Sequence, residues 1–254
     1  NGYLVFASAS DVVLPHLEQY QIIQNQDIND INGARIPVSR LIELGRDTAA
    51  ELGSPEISGL SFDPTMPPNG KNAERLWMIY HHYDQVYWKY DSEQQASTRW
   101  QDDGEGTDLR QAVDQLNGQP LEYENVIVLF ADYQRYTETL FNINLSYITR
   151  YPALLFRDGQ MYEIYWSTRN EDYEKTTGKL RPPRFVDAKG NAFPLKPGQS
   201  WIEIVQLHNS YFETVDTRDF FRLTNTRQPG SGTWAVYFIP PDFQPTPTIT
   251  PTPE

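Results

Sequence analysis

Without a single cysteine among 254 residues, any chemistry in this chain must come from carboxylates, hydroxyls, imidazoles, arginine and lysine. Disulfides, thiolate zinc sites, iron–sulfur clusters and cysteine nucleophiles are excluded. The densest carboxylate run is Asp102-Asp103-Gly104-Glu105-Gly106-Thr107-Asp108. Asp102, Asp103, Glu105 and Asp108 are hard oxygen donors of the kind calcium takes, yet the glycines fall at the wrong offsets for an EF-hand. The run is either a calcium loop or a solvated acidic loop, and no other cofactor is indicated. A second constellation is Asp91 and Arg99 flanked by Trp88 and Trp100, with Asn125 as a hydrogen-bonding partner. A carboxylate–guanidinium pair beside aromatic rings suits a buried polar network or a binding site.

Catalytic signatures are missing. Gly198-Gln199-Ser200-Trp201-Ile202 lacks the second glycine of a nucleophile elbow, and Gly230-Ser231-Gly232 reads as a turn. There is no Walker loop, dinucleotide fingerprint or His-Glu-x-x-His. His81 and His82 are adjacent near a strand end, so they point to opposite faces and suit packing better than a shared metal. Glycosidase-like carboxylates carry no diagnostic spacing in sequence, because their separation in space decides the chemistry. A hydrolase of that kind would need Asp91, Asp108 or Asp187 in a deep acidic cleft.

The net charge of -13, from 21 basic and 34 acidic side chains, repels a phosphate backbone and an anionic lipid surface, so nucleic acid is not an expected partner. No apolar run approaches the roughly 18 residues of a membrane span. Six tryptophans and sixteen tyrosines suit an exposed sheet face that binds carbohydrate or peptide, and equally a β core. Trp166, Trp201 and Trp234 alternate with their neighbours as core residues do.

The elements that must position these residues are mostly strands. Val126 to Phe130 is a continuous β-branched run, expected to be covered on both faces. Ala153 to Phe156 and Met161 to Trp166 flank Asp158-Gly159, which predicts a hairpin with a type I′ turn. Leu76 to His81 and Gln85 to Asp91 predict a second hairpin, and Trp201 to Leu207 and Trp234 to Ile239 two further strands. Tyr3 to Ala7 reads as a strand. Ser8 to Asp11 caps a short helix through Val12, Val13, Leu17 and Tyr20, and Gln19 to Arg35 is a polar surface excursion. Helices are predicted from Pro37 to Leu52, stopped by Gly53, and from Thr107-Asp108 to Asn117-Gly118, with Leu109, Val113 and Leu116.

Taken together the pattern is α+β: a mixed, mainly antiparallel sheet core, a few peripheral helices and an extended Thr/Pro tail. The expected divisions are 1–70, the remnant of an N-terminal domain; 71–239, a β-rich domain; and 240–254, the tail. Gly59 to Asn72, rich in Pro and Gly, marks the first boundary.

The order and spacing of several short pieces resembles the YerB-like family of predicted bacterial lipoproteins, a two-part family whose domains are of unknown function. The pieces are Trp88-Lys89-Tyr90-Asp91, Arg99, Asn125-Val126-Ile127-Val128, Phe156-Arg157-Asp158-Gly159 with Trp166, Pro183-Arg184-Phe185-Val186-Asp187 with Gly190, and Leu195-Lys196-Pro197-Gly198-Gln199-Ser200-Trp201-Ile202. They cover about Asn72 to Val205. The resemblance implies a cell-envelope or extracellular location, and it makes the first sixty or so residues the end of the family's N-terminal domain. The start of that domain is absent, and Asp102 to Gln119 is longer and more acidic than the family's segment. On this reading the chain is a processed or truncated, non-catalytic binding or scaffolding protein. Its expected partners are the missing N-terminal fragment, a second copy or a wall polymer; the alternative is the carboxylate hydrolase. A strand at Tyr3 to Ala7 would take its neighbours from the missing part.

Overall fold

In the computed structural model, residues 4–6, 14–16, 20–23, 35–52, 59–137, 141–145, 148–168, 175–177 and 183–242 are described. The chain divides into two compact units, 1–57 and 58–254.

In the first unit, β1 (Leu4–Phe6) pairs in parallel with β2 (Tyr20–Ile22), and a 3-10 turn spans Leu14–His16. One neighbour of β1 is therefore β2 of this chain. Tyr20 belongs to that strand and not to a helix. Helix α1 (Val38–Leu52) starts directly after Pro37, whose carbonyl accepts the amides of Arg40 and Leu41. Leu44 is buried, while Val38, Leu41 and Ile42 on the same helix are exposed. Gly53 and residues 24–34 lie outside the described residues.

The second unit is mainly β, most of its pairs antiparallel. Its strands are β3 (Lys71–Asn72), β4 (Arg75–His81), β5 (Asp84–Asp91), β6 (Ala96–Asp102), β7 (Leu109–Gln111) and β8 (Glu122–Tyr123). There follow β9 (Asn125–Arg135), β10 (Phe141–Asn144), β11 (Tyr151–Arg157) and β12 (Gln160–Ser167). The last are β13 (Arg184–Val186), β14 (Ser200–Gln206), β15 (Ser210–Glu213), helix α2 (Phe220–Asn225) and β16 (Thr233–Tyr237). One sheet runs β10-β9-β11-β12-β13, with β14 parallel to β9 and β3 on β12; the other runs β15-β16-β4-β5-β6-β7, with β8 on β6.

Strand alternation explains how the two sheets share a core. Leu76, Met78, Val86, Trp88, Trp234 and Val236 of one sheet meet Val126, Val128, Phe130, Leu154, Phe156 and Val205 of the other. The odd positions of β9, Ile127 and Leu129, point the other way and pack with Leu155, Ile164, Trp166 and Leu195. The opposite face of the second sheet buries Trp77, Ile79 and Ala235 under Leu223 of α2. This is why Val126 to Phe130 is apolar throughout: both faces of β9 are covered. Asp158 (φ 54) and Gly159 (φ 69) both adopt the left-handed region, so the β11–β12 hairpin closes with the expected turn.

The helix expected after Thr107-Asp108 is not formed. Its first residues pair instead with Asp102 to Trp100 as β7, because that register buries Leu109 beside Trp77 and Tyr87. Leu116, expected on the helix's buried side, is 97% exposed. Gly59 to Asn72 packs into the second unit, where Phe62 bridges Leu195. The tail from Phe243 onward lies outside the described residues.

Candidate functional site

Two clusters occupy neighbouring positions where the start of β9, the end of β11 and the loop before β14 meet the β5–β6 hairpin. The first is closed. Asn125, fully buried at the first position of β9, donates through Nδ2 to Lys196 O (2.8 Å) and Ser200 Oγ (3.1 Å), and its Oδ1 accepts from Lys196 N (2.8 Å). Arg157, the last residue of β11, is also buried. Its Nε donates to Asp158 Oδ2 (2.8 Å), Nη1 to Pro194 O (3.2 Å) and Nη2 to Thr65 O (3.2 Å). The other oxygen of Asp158 accepts from Lys196 Nζ (2.8 Å), which also donates to Gln95 O (2.9 Å). Buried charges need this degree of pairing to be tolerated. Tyr90 packs over Gly159, where a Cβ would come within 3.0 Å of the ring; the turn therefore requires glycine for space as well as for φ.

The second cluster is open. Trp88 on β5 and Arg99 on β6 are directly opposite, and the guanidinium lies 6.0 Å from the Trp88 ring and 4.7 Å from that of Trp201 on β14. Tyr123 stands edge-on to both indoles, at 5.7 and 5.4 Å. Arg99 Nη1 donates to Gln101 Oε1 (2.8 Å), whereas Arg99 Nε and Trp88 Nε1 are buried with no acceptor. Such orphaned donors each cost about 1–3 kcal/mol when water is excluded. Beside them the buried carboxylate of Glu203 accepts from Trp201 Nε1 (2.9 Å) and Tyr80 OH (2.7 Å). Burial, then the charge and hydrogen bond of Glu203, hold the Tyr80 phenol far above its ordinary range.

Trp88, Arg99 and Asn125 thus fall in or beside these clusters; Asp91 and Trp100 do not. Asp91 is three residues along β5 from Trp88, hence on the other face from Arg99, and its Oδ1 caps the turn by accepting from Glu93 N (2.8 Å) and Gln94 N (3.3 Å). The expected Asp91–Arg99 pair is not made. Trp100 is likewise on the face opposite Arg99, where it pairs with Tyr87 and donates through Nε1 to Thr98 Oγ1 (3.3 Å).

The acidic loop turns its carboxylates on its own backbone. Asp102 Oδ1 accepts from Gly104 N (2.7 Å) and Gly106 N (3.0 Å), Asp103 Oδ1 accepts from Glu105 N (3.1 Å), and Asp108 faces Arg218 at 3.5 Å. No three His, Cys, Asp or Glu side chains among the described residues are grouped to hold a metal ion. Asp187 accepts from Lys189 N, Asn191 N and Asn191 Nδ2, and its carboxyl is held below the usual range, chiefly by the Asn191 side chain. Asp91 and Asp187 therefore each cap a turn, while Asp108 faces Arg218. His82 packs edge-on against Phe220 at 4.7 Å.

Arg157, Asp158, Lys196, Tyr123, Glu203 and Tyr80 carry no site signal in the sequence beyond turn or strand positions. A third group, Glu163 with Lys71 Nζ (2.6 Å) and Tyr211 OH (3.0 Å), lies on the surface. Lys71 holds the Glu163 carboxyl low, and burial pushes the Tyr211 phenol up to about 12.

Residues 76–202, half of the chain, match the family described as protein of unknown function (DUF3048), C-terminal domain, and the chain belongs to that family. Among solved structures, the YerB protein from Bacillus subtilis is similar at 19% identity and a TM-score of 0.49, over 76% of this chain. The chain spans 59% of that protein's length. No curated protein matches. Among the described residues, no helix is long and apolar enough to cross a membrane.

Proposed function

We propose that this chain is a non-catalytic binding or scaffolding module of the bacterial cell envelope or extracellular space. The observation that carries the reading is the open cluster: Trp201, Tyr123 and Arg99 form a partly exposed aromatic–guanidinium surface whose donors are incompletely paired. Stacking faces with an oriented cation are what a binding surface needs. Of the carboxylates from which a hydrolase would be built, Asp91 and Asp187 are held by separate turns and Asp108 by Arg218. On this reading residues 1–57 belong to an N-terminal domain, 58–239 form the binding domain in place of the expected boundary at 70, and the Thr/Pro segment 240–254 serves as a spacer. The partner is the rest of an N-terminal domain, a second copy or a wall polymer, and calcium at the 102–108 loop remains part of the proposal.

The test is co-sedimentation with purified bacterial wall sacculi, followed by assay of the supernatant for released sugar. Retention of the chain, weakened by Trp201→Ala and with no sugar released, is the expected outcome. Release of soluble fragments that disappears in Asp91→Asn or Asp187→Asn would replace the reading with the hydrolase.

A further inference from the structure

The edge of β14 is closed at one end and open at the other. Asn125 N donates to Gln199 O and Leu207 N to Ala131 O, so the odd residues of β14 bond to β9 and the even residues direct their N–H and C=O away from it. Near the C-terminal end these outward groups are capped: Ile204 O accepts from Tyr133 OH (2.9 Å), Gln206 N donates to Asn209 Oδ1 (3.1 Å), and Gln206 O accepts from Asn209 N (2.9 Å). Among the described residues, the outward backbone groups of Ser200 and Ile202 and the amide of Ile204 have no such cap, and the Ile202 side chain is 48% exposed.

The second sheet extends past this edge. Val86, facing the shared core, is opposite Gln101, and Gln101 is opposite Arg110, so Gln101 and Arg110 lie on the core-facing side with Arg99. Gln101 and Arg110 are nevertheless exposed. A ledge one strand wide therefore stands beside β14 without a covering strand among the described residues. In a chain with 34 acidic side chains, neither Arg99 nor Arg110 has a carboxylate within 4.0 Å among those residues. Arg99 Nε is buried without an acceptor.

We propose that the open half of β14 receives an extended acidic segment of a partner polypeptide as an added strand, its inward carboxylates meeting Arg99 and Arg110. Backbone bonds to Ser200, Ile202 and Ile204 supply affinity, and the two arginines supply charge selection. This deepens the binding reading above by naming the partner's chemistry.

The probes are two end-capped synthetic peptides that alternate valine with glutamate or valine with lysine, added to the full chain and followed by amide hydrogen exchange and titration. The glutamate peptide should slow exchange at Ile202 and Ile204. Ile202→Pro removes an outward N–H that the β9 ladder does not use, so the fold is retained while strand addition is blocked. Ile202→Pro and Arg110→Glu should each weaken the glutamate peptide about tenfold or more, and Arg110→Glu should favour the lysine peptide. Equal binding of both peptides, undiminished binding to Ile202→Pro, or no protection with either peptide would overturn the proposal. A dimer abolished by Ile202→Pro would assign the edge to a second copy and overturn it as well. Wall-polymer binding that persists when peptide binding fails would leave the broader reading standing, whereas sugar release would remove that reading without bearing on the edge.

Discussion

The closed cluster around Asn125 and Arg157 and the open cluster around Arg99 use the same kinds of side chain in adjoining parts of one fold. They differ in how completely the polar atoms are paired. Arg157 has partners on all three nitrogens and Asn125 on both ends of its amide, so that four chain segments are tied at one point. Arg99 reaches Gln101 and two indole faces, with one nitrogen unsatisfied. A fully paired buried network fixes the fold and has no valence left for a ligand. Incomplete pairing next to a strand edge leaves donors that a ligand could take, which is the contrast on which the proposed binding role rests.

Removing Arg157 is the sharpest way to break the comparison. Arg157→Ala leaves Asp158 with a single cation and strips donors from the Pro194 and Thr65 carbonyls, so a loss of about 3–5 kcal/mol is expected. For a unit of this size that is a fall in melting temperature of roughly 10 °C, read by calorimetry. A fall of less than a few degrees would mean that the knot does not hold the loops. Asn125→Ala should follow with about 2–3 kcal/mol, since it orphans the Lys196 amide and carbonyl. Exchange of the Lys196 amide should then rise with it.

Arg99→Ala is expected to change stability by about 1 kcal/mol or less, because lost cation–π contact is offset by removal of a buried unsatisfied donor. A large destabilisation would move Arg99 into the closed class and weaken the binding reading. The tyrosines set the alkaline limit. Burial pushes Tyr87, Tyr133 and Tyr211 up to about 12 and Tyr80 higher, against an ordinary value of 10.0. A phenol raised in the folded state contributes stability that is fully present below pH 10 and is lost as pH rises towards 12. Phenolate absorbance should therefore lag until the fold gives way, and Glu203→Gln should lower the onset for Tyr80 only in part, because burial is the larger cause.

Strand identity was legible where alternation and turn chemistry agreed, as in Leu76 to Asp91 and in the Asp158-Gly159 hairpin. It failed at Thr107 to Asn117, where a good N-cap and a good stop flank Leu109, Val113 and Leu116. Pairing with β6 overrode that local preference, and β6 itself, Ala96–Asp102, has too few large apolar residues to announce a strand. β10, β15 and α2 were missed for a similar reason. Arg99, Trp88 and Asn125 stood out as residue types, but their partners did not. The face of β5 on which Asp91 lies follows from register, which a single sequence does not give. Arg157 reads only as the residue before a turn, because its acceptors come from Thr65 and Pro194, far off along the chain.

The parallel pairing of β16 with β4 bears on how the chain is made. Thr233 lies opposite Arg75 and Tyr237 opposite Ile79, so the first core strand of the second unit waits for almost the last. At about 5–20 residues per second of synthesis, the β4 edge stays without this partner for roughly 10–30 s after β4 emerges. Long-range parallel closure is also slow in its own right. Folding of the second unit is therefore completed only once β16 has emerged, and a chain ending before residue 233 leaves a long apolar strand edge open to aggregation or to a holding chaperone.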